Sequence, residues 1–144
     1  MREINEIIIH HSASEYGDAD LIRKWHVEDN GWDDIGYHYV ICNAYPSYES
    51  FAAKIPVPRA DGTLQNGRPV QVPGAHAKGH NSHSLGICLI GNSSFTGMQL
   101  FTLENLLTDL KKSFPNARIL GHCEVNERKP TCPSLSMNYV RGLA

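Results

Sequence analysis

The chain has 144 residues, 41% of them hydrophobic and 19% charged, which fits one domain able to bury a core without covalent staples. Thirteen Lys and Arg against 15 Asp and Glu leave a formal charge of −2 and a pI near 6.4, so no long-range basic field drives broad binding to nucleic acid or to an anionic membrane. No apolar run approaches the roughly 18 residues of a spanning helix, and the start, MREINEIIIHHSASE, lacks the features of a secretory leader, so the expectation is synthesis in the cytoplasm.

Glu6 to His11 (EIIIHH) is short, apolar and β-branched, the pattern of a buried strand. Asp18 or Asp20 can cap a helix whose apolar positions are Leu21, Ile22 and Trp25, with Gly31 ending it. GYHYVIC reads as a strand with Tyr37, Tyr39 and Ile41 on one face and His38, Val40 and Cys42 on the other. From Asn43 to about Ala60 three prolines and no sustained period predict a loop or a short helical excursion. Asp61-Gly62 is a turn signal, and TLQNGRPVQVP reads as a short strand and then irregular chain. GAHAKGHNSH, residues 74–83, is small, polar and glycine-bearing, hence a loop, and SLGICLIG is a second buried strand. A strong amphipathic helix starts at Thr102, with Leu103, Leu106, Leu107, Leu110 and Phe114 at helical spacing. ARILGH is a last short strand delivering His122 at its end, and a short helix follows Pro133. Strands alternating with helices predict an α/β fold: a single domain over residues 1–144, with a central mixed sheet flanked by helices.

Cys42 and Cys88 lie in apolar runs, where buried free thiols are common; Cys132, in the turn-like KPTCPS, is expected to expose its sulfur to a partner. HExxH, CxxC, GxGxxG, GxSxG and the phosphate-binding GxxxxGK[ST] are all absent, which leaves the eight histidines as the unusual feature. His10 and His11 end a strand and point to opposite faces, so one imidazole can face a cleft; a structural histidine gives the same pattern. His76, His80 and His83 have the spacing of one helical face, but Gly79 and the polar residues around it argue against a helix and against a metal there. His122 and Cys132, ten residues apart, can reach one zinc ion from a single loop. With a third ligand from a separate strand they would leave the fourth tetrahedral position to water, as in hydrolytic rather than structural zinc sites.

IIIHHSAS, IRKWHVEDNGWDDIGYHYVI, DGTLQNGRP, GAHAKGHNSHSLGICLIG and GHCEV…KPTCPS together resemble the zinc-dependent N-acetylmuramoyl-L-alanine amidases of the amidase-2 and peptidoglycan-recognition-protein fold, most of all the phage amidase-type lysozymes. The segments run in the family's order over nearly the whole chain. The resemblance implies one Zn2+ per chain held by His10, His122 and Cys132, catalytic roles for Tyr37 and Lys129, and a substrate groove lined by His76 and Asn81. It leaves His11, His26 and His38 as structural or supporting residues.

Two departures from the family pattern stand out. Its lysine two residues before the cysteine falls on Pro130; Lys129 is one step earlier, and Thr131 is another polar group nearby. Residues 43–60 are an insertion where relatives turn tightly, and its Tyr45 and Tyr48 either extend the groove or decorate the surface. The implied substrate is peptidoglycan, cut by a monomeric endolysin that reaches the wall through a membrane lesion made by another protein. A wall-recycling bacterial amidase and a non-cutting peptidoglycan-binding module are the alternatives. Some phage relatives also inhibit an RNA polymerase, a partner on which this composition is silent.

Overall fold

A computed structural model describes residues 2–144 and is built on a five-stranded sheet in the order β3-β2-β4-β1-β5. The strands are β1 (Glu6–His11), β2 (Tyr39–Ile41), β3 (Leu64–Asn66), β4 (Ser84–Leu89) and β5 (Arg118–Gly121). β1 pairs in parallel with β4 and β5, β2 in parallel with β4, and β3 antiparallel with β2, so the sheet is mixed as expected. Ile7, Ile8 and Ile9 are fully buried, which is what a central strand covered on both faces requires. Each such side chain contributes about 1.5–3 kcal/mol of transfer free energy.

Alternation along β1 and β4 divides the core. Ile7, Ile9, Leu85, Ile87 and Leu89 pack under α3 (Gly97–Ser113) and α5 (Met137–Leu143), against Leu103, Leu107, Leu110 and Val140. The opposite face carries Glu6, Ile8 and His10 from β1, with Val40, Cys88 and Ile90 packed against Ile22 of α1 (Ala19–Lys24). Asp18 caps α1 by accepting from the Leu21 amide at 2.8 Å. The helix then widens into a π-helical turn, Trp25–Asp29, before Gly31 closes it at φ +70°.

α3 begins five residues earlier than its leucine pattern predicts. Thr96, not Thr102, caps it: its hydroxyl accepts from the Gln99 amide, and Gln99 Oε1 accepts in turn from the Thr96 amide. Gln99 is buried and donates to the Ile41 and Ile90 carbonyls, tying the helix start to the ends of β2 and β4. Thr102 lies inside the helix and donates to the Gly62 carbonyl. A second correction concerns Tyr37: the regular strand geometry of β2 begins at Tyr39, so the alternation does not extend back, and Tyr37 packs with Val40 and Cys88 rather than with Tyr39 and Ile41.

The insertion holds α2 (Tyr48–Ala52) and a 3-10 turn at Pro58–Ala60. Its rings close around Tyr16: Tyr48 lies 5.6 Å and Phe51 5.8 Å from that ring, with Tyr45 5.7 Å from Phe51. Among the described residues no helix is long and apolar enough to cross a membrane.

Candidate active site

Two neighbouring parallel strands set the first pair of side chains. His10 is the fifth residue of β1, and His122 follows the last residue of β5, opening the one-turn helix α4 (His122–Val125). Ile9 pairs with Gly121, so the two imidazoles leave adjacent strands at their carboxyl ends with ring centroids 4.4 Å apart. The third side chain is carried in by the loop after α4. The Cys123 amide donates to the Cys132 carbonyl at 2.8 Å, and the Cys132 amide to the Lys129 carbonyl, folding that loop back over β5. The metal-binding atoms of His10, His122 and Cys132 all lie within 4.8 Å of one another, and all three residues are buried.

Cys132 therefore does not expose its sulfur as its turn-like setting predicts; it is 7% exposed because the loop packs it inward. The four cysteines are free thiols.

The electrostatics suit a metal rather than a proton. Burial, followed by the charges of His76 and His122, holds the His10 imidazole far below its ordinary pKa. Burial and then the Lys129 ammonium bring His122 down to about 4. Both rings are neutral at pH 7, each with a lone pair to give. Burial raises the Cys132 thiol, while the His11 backbone amide and Lys129 pull the other way. Two imidazoles and one sulfur, with no carboxylate among them, are a borderline-soft donor set that fits Zn2+ and does not fit Mg2+ or Ca2+.

His76 fixes the orientation of His10. Its Nδ1 lies 2.8 Å from His10 Nε2, and its own Nε2 lies 3.2 Å from Ser84 Oγ. With His10 Nδ1 free to bind an ion, His10 Nε2–H donates to His76 and His76 Nε2–H donates to Ser84, a consistent tautomer chain. Burial holds His76 at a pKa of about 3. Glycines make the room: a Cβ at Gly86 would stand 2.6 Å from His76 Cγ, and one at Gly74 2.6 Å from His76 Cδ2. Asn81 Oδ1 accepts from the His76 and Ala77 amides and so holds the loop in shape. A shallow groove over this region is lined by Trp32, His76, Lys78, Asn81, His122 and Asn126. Nothing in the sequence singles out Trp32; its place follows from its tilted contact with His26, ring centroids 4.6 Å apart.

Tyr37 lies with its ring 5.0 Å from His10. Burial above all, and then Cys88 and Cys132, push its phenol well above the ordinary range, so it is protonated. Lys129 is exposed, yet its charge is close enough to depress His122 and Cys132. His38 is structural: Nδ1 accepts from the Gly86 amide and Nε2 donates to the Val72 carbonyl. His26 accepts from the Gly36 amide.

Comparisons with known proteins point to one family. The family model described as N-acetylmuramoyl-L-alanine amidase matches residues 1–134. The endolysin of Enterobacteria phage K11 is 32% identical over 148 residues, covering 94% of this chain and 84% of its own. Peptidoglycan-recognition protein SC2 of Drosophila melanogaster is 31% identical, covering 93% and 71%. Among solved structures, the N-acetylmuramoyl-L-alanine amidase LysC from Clostridium intestinale superposes with a TM-score of 0.79 at 25% identity, covering 98% of this chain and 85% of LysC. With a family match spanning residues 1–134 and full-length relatives among endolysins, the chain belongs to the N-acetylmuramoyl-L-alanine amidase family, whose reaction is hydrolysis of an amide in peptidoglycan.

Proposed function

We propose that this chain cuts the amide between the lactyl group of N-acetylmuramic acid and L-alanine of the stem peptide, using one Zn2+ held by His10, His122 and Cys132. The observation that carries the reading is the convergence of three buried, carboxylate-free donor atoms beside an open groove. When bound, the ion supplies a Lewis acid and a water acidified to a pKa of about 7.

The remaining work falls to the chain's own side chains. Tyr37, held protonated by burial, donates a hydrogen bond to the substrate carbonyl oxygen as negative charge develops there. Lys129 places a positive charge on the same side of the centre, beside His122 and Cys132, and shares that stabilisation. His76 and Asn81 line the groove for the stem peptide, and His76 also keeps His10 in one tautomer. A shallow, open groove suits an extended polymer better than a small molecule. With endolysins among its relatives, the process served is lysis of a phage host, the enzyme reaching the wall after synthesis in the cytoplasm.

Untagged protein incubated with purified peptidoglycan tests this directly. New L-alanine amino termini should appear without new reducing sugar ends, stop on chelation, and return with Zn2+. Release of reducing ends alone, or turnover indifferent to chelation, overturns the proposal.

A further inference from the structure

A second group of ligating side chains lies at the other end of β1. Glu6, the first residue of the strand, is 4% exposed. Its Oε1 is hydrogen-bonded to His80 Nδ1 at 2.8 Å and lies 3.0 Å from His83 Nε2. The three ligating atoms all lie within 4.8 Å of one another. The sequence argues against a metal here because His76, His80 and His83 need a helix to share a face. They do not form one. His76 turns to His10, while the 3-10 turn Asn81–His83 brings His80 and His83 together on a carboxylate that helical spacing could not reveal.

We infer that Glu6, His80 and His83 form a second metal site, separate from the hydrolytic centre, for a divalent first-row ion such as Zn2+, Co2+ or Ni2+. Two imidazole nitrogens and one carboxylate oxygen are the protein ligands of an open, borderline-soft site and do not favour Mg2+ or Ca2+. Donors bonded at 2.0–2.2 Å to a tetrahedral ion stand roughly 3.3 Å apart, so the two Glu6–imidazole pairs need open by only a few tenths of an ångström.

The surrounding contacts already hold the ligands in the required sense. Arg118 binds Glu6 Oε2 at 3.0 Å, leaving Oε1 to face the imidazoles. Ser82 Oγ lies 3.3 Å from His83 Nδ1, where it can accept that nitrogen's proton once Nε2 binds an ion. The imidazoles are 29% and 34% exposed, so an ion has a path in through the adjoining depression, which Glu127 also lines. The loop that carries His80 and His83 also carries His76, so a bound ion would fasten that loop to β1 at the end opposite the hydrolytic centre.

Titrating metal-free, untagged protein with Co2+ separates the two sites. Binding that involves Cys132 gives a sulfur-to-cobalt charge-transfer band; binding by Glu6, His80 and His83 gives visible d–d bands without it. The expected result is two equivalents, only one with the charge-transfer band. The double variant His80→Ala, His83→Ala should keep the banded equivalent and lose the other, Cys132→Ser should do the reverse, and Ser82→Ala should weaken the unbanded equivalent about tenfold. Saturation at a single banded equivalent overturns the inference, as does an unbanded equivalent that survives the double variant. Should the double variant fail to fold, Cys132→Ser still decides: without an unbanded equivalent there, no second site exists.

Discussion

β1 carries a histidine cluster at each end, and the two clusters are built on opposite electrostatic principles. At the carboxyl end, His10, Cys132 and His122 are 1%, 7% and 8% exposed and contain no formal charge at neutral pH. Desolvation governs that end: it keeps the imidazoles neutral, with lone pairs that a divalent ion would satisfy together. At the amino end, a buried carboxylate is held by Arg118 and two imidazoles open to water. There pairing has already compensated the charge, and solvent access makes the arrangement adjustable. Side chains four residues apart on one strand face thus sit in different chemistry because one end lies under a folded-back loop and the other faces solvent.

The largest contrast comes from removing one ligand at each end. Cys132→Ser is expected to abolish turnover and to lose one zinc ion per chain relative to the parent protein, read by elemental analysis. His83→Ala should leave basal turnover near its starting value. Equal losses from both would mean that the two ends are not independent.

Tyr37→Phe tests whether the buried end acts through a hydrogen bond as well as a metal. Loss of that donor should lower kcat by about 100- to 1,000-fold with zinc content unchanged. Lys129→Ala should cost less, about tenfold, because its charge is exposed and partly screened, and the loss should shrink as salt is raised.

Acid should reach the two ends in different pH windows. His38, 1% exposed behind the carboxyl-end cluster, has its pKa lowered by burial from 6.5 to about 4. The folded chain therefore binds fewer protons than the unfolded one between those values, and stability falls as pH drops from about 6.5 to 4, by on the order of 3 kcal/mol from this residue. Glu6 has the same sign but a lower pH window. Burial raises its pKa, but the hydrogen bond and charge of His80, and then His83, outweigh burial and hold it below 4.5. Its contribution is present above its unfolded pKa and is lost only as pH falls through its lower folded value. Thermal melting of the metal-free protein should show the first loss, and the His38→Gln variant should flatten the slope between pH 6.5 and 4.

Much of this was legible in the residues. β1 and β4 announce themselves as β-branched, apolar runs, and the leucine spacing gives the body of α3. Its start was misplaced because a cap is a local hydrogen-bond event: Thr96 and Gln99 make it, while the first apolar residues of the periodic pattern come later. Tyr37 lies on the face opposite to the one alternation predicts because alternation holds only through regular strand, which begins at Tyr39. Cys132 reads as exposed because turn composition says nothing about what a turn folds against.

The sequence by itself determined the family, the α/β class and the donor types, since each rests on residue identity, order and local periodicity. Tertiary structure alone decided which donors meet. β1 and β5 are more than a hundred residues apart in the chain yet neighbours in the sheet, so His10 and His122 come together through strand pairing. The same pairing, with glycines at 74 and 86 leaving space for one ring, sent His76 to one end of β1 and its loop neighbours His80 and His83 to the other. Spacing along a chain measures proximity only where the backbone repeats, and a loop does not repeat.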